Sequence, residues 1–542
     1  MGNVWQAKTQ NNIFFEKNLL NAKKYLYLQV NPNDSIDNNN NTLPTKKTLS
    51  EMINQPTVKL GIVGVSRDCF PITLTQARVA ALMAEVKKAG LPEVYDCPVT
   101  IENEKDTMLA LDWAKANGIN AVCMFLGNFG PEGPTTMFVQ KFQGPAMVLA
   151  AKEEGKEGLA SDRGDALCGV LNFSYSVGLR RLKVYIPEYP NVSPAEAVKE
   201  LADFRNIARV VIGVRNLKVI GFGPRPFDFL ACNAPIQPLY DLGVEVQENS
   251  ELDLKCQFEK VASRKAEIAA IAEDMKNELG SRHTYPEIID KMAQLELALL
   301  DWYENNRGAS SYAVFADKCW PAWQPVFGFE PCYVNSRLTG RGIPVACEVD
   351  LYGAVSEFMC ECATEKPATL LDINNSVPAD VIPAGADLAG ADLRDLYMGF
   401  HCGNTCSGCM KECSIKYQLI QARLMSPDIT KGTLEGQILP GKSTMFRIQS
   451  NSDSKLVSYI AQGEFLDIDP CSFGGIGIHA IPGFARFYRH VLVGKRFPHH
   501  GAYAFEHCGK VLFEALKMLG VTDINTPLPA GQLYPGENPF AI

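Results

Sequence analysis

Apolar runs too short to cross a membrane and too uniform to lie on a surface alternate with helical pattern through the first half of the chain. VKLGIVGVSR (58–67) reads as a buried strand, INAVCMFLG (119–127), GPAMVLAA (144–151) and RLKVYIP (181–187) as further strand-like runs, and LKVIGFGPRP (217–226) as another strand entering a loop. A helical pattern over Thr73 to Lys88 follows the first of them. Strands of this kind, separated by helices, call for βαβ units and a parallel sheet. Two long helical patterns follow, Lys255–Leu279 and Tyr285–Asn305, before another strand at GIPVACEVD (342–350). From Thr369 the texture changes to short β-like pieces with turns between them: ATLLDIN, STMFRIQS, KLVSYIAQGEFLDI and RHVLVG. The predicted fold class is α/β: two Rossmann-like parallel-sheet domains plus a C-terminal mixed domain containing a β-barrel.

A chain of 542 residues exceeds what one hydrophobic core supports, so two or three domains are expected. The boundaries read as 1–56, 57–200, 201–345 and 346–542. The first segment is polar and Asn-rich (NPNDSIDNNNNTLPTKK), buries too little apolar surface to fold alone, and is expected to be flexible. Met1 to Val30 lacks a compact hydrophobic segment of the secretory kind, and no apolar stretch reaches the roughly 20 residues of a membrane span. A net charge of −9 argues against a general phosphate-backbone binder. Seventeen cysteines in so large a chain, many within apolar runs, read as reduced thiols of a cytoplasmic protein.

Chemistry is expected where carboxylates leave apolar strands. Glu348 follows IPVAC and Asp372 follows ATLL, and open α/β folds bind ligands beyond the carboxyl ends of their strands. The tandem His499-His500 of FPHHG adds imidazole nitrogen. Two carboxylates with one imidazole make an open, mostly oxygen site suited to Mn²⁺, Mg²⁺ or Co²⁺. Cys402, Cys406, Cys409 and Cys413 have a spacing able to hold an iron–sulfur cluster or zinc, set against a glycine-rich loop of reduced thiols. Gly475-Ile-Gly477-Ile-His-Ala480 fits G-x-G-x-x-A, but no clean βαβ unit surrounds it.

Taken in order, RDCFP, GNFGPE, KCWPAWQ, CEVDLYGA, LLDINN, MGFHCGNT, GTLEGQILPGKSTMFRI and FPHHGAYAF resemble the motifs of the L-fucose isomerase family, with L-arabinose isomerase a more distant cousin. The resemblance runs from about residue 58 to the C-terminus. It implies a metal-dependent aldose–ketose isomerase working through an enediolate, with Mn²⁺ as the expected metal. It implies Glu348, Asp372 and His500 as ligands, His499 staying open, and Glu348 and Asp372 as the acid/base pair. Arg67, Asn128, Trp320, His401 and Asn404 would bind the sugar, with Arg67 reaching a neighbour's pocket in a trimer or hexamer. The chain departs from fucose isomerase in being somewhat shorter, in its cysteine-rich loop and in its N-terminal extension. Those departures bear on the substrate. An isomerase of an anionic sugar, or a non-catalytic metal- or carbohydrate-binding homologue, are the alternatives. An anionic substrate would need a cation such as Arg67, Arg225 or Arg337.

Overall fold

The computed structural model describes residues 52–156, 159–160 and 163–540, which include three sheets. Most of the expected leader, residues 1–51, lies outside them. Near its end Asn54 and Pro56 are buried: Asn54 donates to Ala313 O and Gly342 O and accepts from the Tyr303 hydroxyl at 2.8 Å.

The first sheet holds β1 (Leu60–Val65), β2 (Val94–Asp96), β3 (Ala121–Leu126), β4 (Ala146–Ala151) and β5 (Asn191–Val192), all parallel in the order β2-β1-β3-β4-β5. β1, β3 and β4 are buried at every residue, as their uniform apolar sequences require when helices cover both faces. The helix Ile72–Ala89 ends where Gly90 turns left-handed (φ 67°), and the Gly90 N–H caps the last turn. RLKVYIP does not make a full strand: only Tyr185 bridges, to Met147. Lys183 and its neighbours alternate in exposure, so this segment borders the sheet without joining it.

The helix Pro194–Arg215 connects the sheets. Ser193 and Glu196 form its capping box, and Leu201, Phe204, Ala208 and Val211 are fully buried. It packs against the helices Leu351–Thr364 and Gly509–Leu519, so one apolar core runs from the first sheet into the third.

The second sheet is parallel, in the order β7-β6-β8-β9: β6 (Leu217–Phe222), β7 (Glu245–Asn249), β8 (Tyr312–Ala316) and β9 (Val345–Ala346). The single helix expected over 255–279 is two, Glu251–Val261 and Lys265–Leu279. The break at 262–264 lets Leu254, Phe258 and Val261 of one and Ile268, Ala272 and Met275 of the other enter a shared core with the helix Pro286–Asn306.

The third sheet is mixed and has nine strands: β10 (Ala368–Ser376), β11 (Leu396–His401), β12 (Met410–Tyr417), β13 (Lys431–Ile438), β14 (Gly441–Ser450), β15 (Leu456–Phe465), β16 (Gly475–Ala480), β17 (His500–Ala504) and β18 (Asp523–Asn525). The order is β12-β13-β16-β11-β10-β17-β14-β15-β18, and β15 also pairs with β16, so six strands return on themselves. RHVLVG, expected as a strand, forms helical turns, because Phe484, Phe487, Val491 and Leu492 bury one helical face. Gly475–Ala480 lies inside a strand, not at a strand-to-helix turn, so its glycine pattern cradles no phosphate. No helix among the described residues is long and apolar enough to cross a membrane.

Candidate metal and sugar site

Three chain segments converge at the carboxyl end of the second sheet and the near edge of the third. β9 ends at Ala346, and Cys347–Val349 form a single tight turn. Glu348 (φ 61°) and Val349 (φ 57°) are both left-handed, a conformation costing about 1–2 kcal/mol per non-glycine residue. The Val349 N–H bonds to Asp317 O at 2.9 Å, tying the turn to the end of β8. Asp350 then caps the helix Leu351–Thr364, its Oδ1 accepting from Gly353 N at 2.8 Å. A Cβ at 353 would fall 2.7 Å from Asp350 Oδ2, so the cap requires glycine there.

Asp372 and His500 meet through strand register. In the antiparallel pairing of β10 with β17 they stand directly opposite, which puts both side chains on one face. The Asp350 carboxylate accepts from His500 Nδ1 at 2.8 Å. That contact turns Nε2 inward, 3.3 Å from Glu348 Oε2 and 3.4 Å from Asp372 Oδ1. All three of these atoms are buried and none has a hydrogen-bond partner. Two carboxylate oxygens and an imidazole nitrogen do not face one another in a dry pocket without a cost in repulsion and desolvation. A divalent cation satisfies all three at once, so the residues present fit the metal.

Behind His500, Arg447 holds Asp350 with two hydrogen bonds, 2.8 and 2.9 Å, in full burial. Burial alone would raise the Asp350 pKa, but the Arg447 charge and His500 outweigh it and hold the carboxyl far below its usual range. Burial opposes ionisation of Asp372 too, yet His500, His401 and His499 hold it at about 2. His401 is buried with its ring 5.8 Å from that of His500, and its Nδ1 accepts from Cys402 N at 3.0 Å. Burial pushes the pKa of both His401 and His499 down. His499 Nε2 lies 3.5 Å from Asp372 Oδ1 with its side chain a third exposed, whereas His500 is fully buried.

Trp320 donates its indole N–H to Glu348 Oε1 at 3.2 Å. Its ring packs beside Phe227 and Phe229, and Phe229 meets His499 edge-on. An aromatic wall next to oriented polar groups is the composition of a small-molecule pocket. Asn404, three residues beyond His401, is buried and its Oδ1 has no partner. Arg67 and Asn128 are engaged elsewhere. Asn128 Oδ1 accepts from Arg67 N at 2.8 Å. The guanidinium binds Gly130 O and Glu132 and lies 4.6 Å above the Phe129 ring, at the end of the first sheet.

Sequence reasoning passed over Asp350, Arg447 and Cys232. The signal for Arg447 was legible: a lone charge in the apolar strand STMFRIQS demands a buried counter-charge. Cys232, whose Sγ is 3.7 Å from His500 Nδ1, carries no such signal in FLACN.

Residues 61–215 match the family model for the fucose/sulfoquinovose isomerase N-terminal domain, and residues 399–525 that for the L-fucose isomerase C-terminal domain. A sulfoquinovose isomerase from Clostridium sp. (strain MSTE9) is 24% identical over 181 residues. That alignment spans 33% of this chain and 36% of the relative, about a third of its length. Among solved structures, a galactofuranose binding protein matches 48% of this chain and 76% of its own at 9% identity, with a TM-score of 0.14, too low to bear on the fold. The two domain models flank the Glu348–Asp372 segment and together take in just over half of the sequence, and the chain belongs to the fucose isomerase family.

Proposed function

We propose that this protein is a divalent-metal-dependent aldose–ketose isomerase acting on a monosaccharide. The observation that carries the reading is the convergence of Glu348 Oε2, Asp372 Oδ1 and His500 Nε2, buried and without partners. These three would hold Mn²⁺, or Mg²⁺ or Co²⁺ in its place. When bound, the cation supplies Lewis-acid stabilisation of negative charge on the sugar oxygens.

The chain's own residues do the rest. Asp350, anchored by Arg447, engages His500 Nδ1 and so aims Nε2 at the place of the cation. Trp320 fixes Glu348 through Oε1. Asp372 is the second member of the acid/base pair, and Glu348, oriented by the Trp320 indole, takes the carbon-bound proton. The proton moves between C1 and C2 by way of that carboxylate, through an enediolate of the sugar. His401, buried within electrostatic reach of Asp372 and Glu348, is suited to hold the hydroxyl end of the substrate. We read the ring of six strands as the small barrel of the C-terminal domain, with Asp372 and His500 on it.

A second reading, an anionic sugar, is favoured by one observation. Of the three arginines weighed as anchors, Arg337 is taken up by Asp274, Glu278 and Glu296, and Arg67 by Glu132. Arg225 alone of the three keeps a buried Nε without a partner, on the loop whose Phe227 and Phe229 pack on Trp320. The relative named as a sulfoquinovose isomerase points the same way.

Self-association fits the first domain. Leu167, Leu171, Tyr175 and Leu179 form an exposed stripe one helical turn apart, each more than 60% accessible. Their helix adjoins the Arg67 edge, where Asn172 bonds to Glu132. A trimer or hexamer would cover that stripe and bring Arg67 to a neighbouring site. The cysteines, none in a disulfide, suit a cytoplasmic location.

Conversion of a panel of neutral and anionic sugars, with metal-stripped and Mn²⁺-loaded protein, tests the reading. Metal-dependent conversion of at least one sugar is expected. If an anionic one is turned over, Arg225→Met should raise its KM and leave neutral analogues unaffected. No conversion of any sugar by Mn²⁺-loaded protein would favour a binding role.

A further inference from the structure

The four cysteines of residues 402–413 do not gather into a metal-binding group. Among the described residues, the clusters able to hold a metal are Cys232–Glu348–His500 and Asp372–His499–His500. Cys402 Sγ accepts from Gln418 Nε2 at 3.0 Å, and Cys413 Sγ from Arg282 Nη1 at 3.3 Å. Cys406 and Cys409 behave differently: their sulfurs approach to 3.1 Å.

The chain holds them there. Cys409 N bonds to Cys406 O at 3.0 Å, closing the turn Ser407–Cys409, and Cys409 O accepts from Leu439 N at 2.9 Å. Ser407 Oγ donates to Glu278 Oε1 at 2.6 Å, pinning the turn to the helix Lys265–Leu279. Cys406 is buried and Cys409 is partly accessible. One reachable thiol with a second thiol behind it in a C-x-x-C turn is the arrangement of a reversible dithiol.

We propose that Cys406 and Cys409 form a redox-active pair that a small-molecule disulfide, such as oxidised glutathione, converts to an intramolecular disulfide. The Cys409 thiolate attacks one sulfur of the oxidant, forming a mixed disulfide and releasing one thiol. The Cys406 thiolate then displaces the second thiol and forms the Cys406–Cys409 bond. The protein pair gives up two protons and two electrons, and the oxidant is reduced to two thiols. Closing the bond draws the sulfurs from 3.1 Å to about 2.05 Å. The turn tightens four residues from Cys402 and two from Asn404, so the redox state acts on the loop between β11 and β12.

The test uses the full-length protein, equilibrated in glutathione buffers of graded ratio, quenched with an alkylating agent and digested with trypsin. As the oxidised fraction rises, the peptide 395–411 should carry one alkyl group in place of three and be two hydrogens lighter than the same peptide with Cys406 and Cys409 as free thiols. Fragmentation should place the link between Cys406 and Cys409, and added dithiothreitol should reverse it. Cys413→Ser should behave as the unaltered protein. Alkylation of both thiols at every ratio would overturn the proposal. So would a link to Cys402 or Cys413, or a glutathione adduct that persists on Cys409.

Discussion

His500 offers Nε2 to the site because Asp350 occupies Nδ1, and Asp350 can remain ionised in full burial because Arg447 grips both its oxygens. Removing the middle member uncouples the three. Asp350→Asn is expected to weaken Mn²⁺ binding about 10–100-fold, the usual effect of losing a carboxylate behind a ligating histidine. Calorimetric titration with Mn²⁺ checks it, and an unchanged affinity would mean the carboxylate serves only to neutralise Arg447. Much of this arrangement was legible in the sequence. Glu348 and Asp372 showed themselves as acids leaving apolar strands, and the tandem histidine supplied the nitrogen. Which histidine is buried was not legible, because neighbours in one loop differ only once β17 begins at His500 and pairs it with Asp372. Cys232 was beyond reach, since its approach to His500 spans 268 residues of separation.

The helix Leu351–Thr364 carries two acids into the core, Glu357 and Glu361, each fully buried with an unpartnered Oε2. Burial, reinforced by the Asp350 charge, raises Glu357 to about 8. The folded protein therefore binds a proton that the unfolded chain releases near pH 4.5. An acid with a raised folded pKa costs stability progressively as pH rises from the unfolded towards the folded value. Glu357→Gln should thus gain stability over the unaltered protein between pH 5.5 and 8, by about 3 kcal/mol at most. Urea unfolding at the two pH values measures it, and a difference that does not change with pH would contradict the assignment. Strands of the first sheet announced themselves by unbroken apolar runs, since both their faces are covered. RLKVYIP and RHVLVG misled for opposite reasons. The first alternates without a partner strand along its length, and the second is six residues whose helical face shows only with Phe484 and Phe487 included.

At the scale of the molecule, no single sheet makes the site. The second sheet delivers Glu348 and Trp320, the third delivers Asp372, His401 and His500, and the buried Asp350–Arg447 pair joins the two. The motif order suggested this assembly, but the pairing of β10 with β17 across more than a hundred residues could not be read from local pattern. The first sheet supplies Arg67 and Asn128 at a separate edge, beside the apolar stripe of Leu167, Leu171, Tyr175 and Leu179. If that stripe is the interface, Leu171→Lys with Tyr175→Lys should lower the mass in solution to that of smaller assemblies while the fold persists by circular dichroism. An unchanged mass would move the interface elsewhere.

The central claim is that Glu348, Asp372 and His500 hold the cation on which sugar isomerisation depends. Its most direct test is conversion of the responsive sugar by metal-stripped protein as Mn²⁺ is added, with Glu348→Gln alongside. The account predicts no conversion before metal, recovery as Mn²⁺ saturates one site per chain, and loss of at least 100-fold in the variant at every Mn²⁺ concentration. Full conversion by stripped protein, or near-normal conversion by Glu348→Gln, would contradict it.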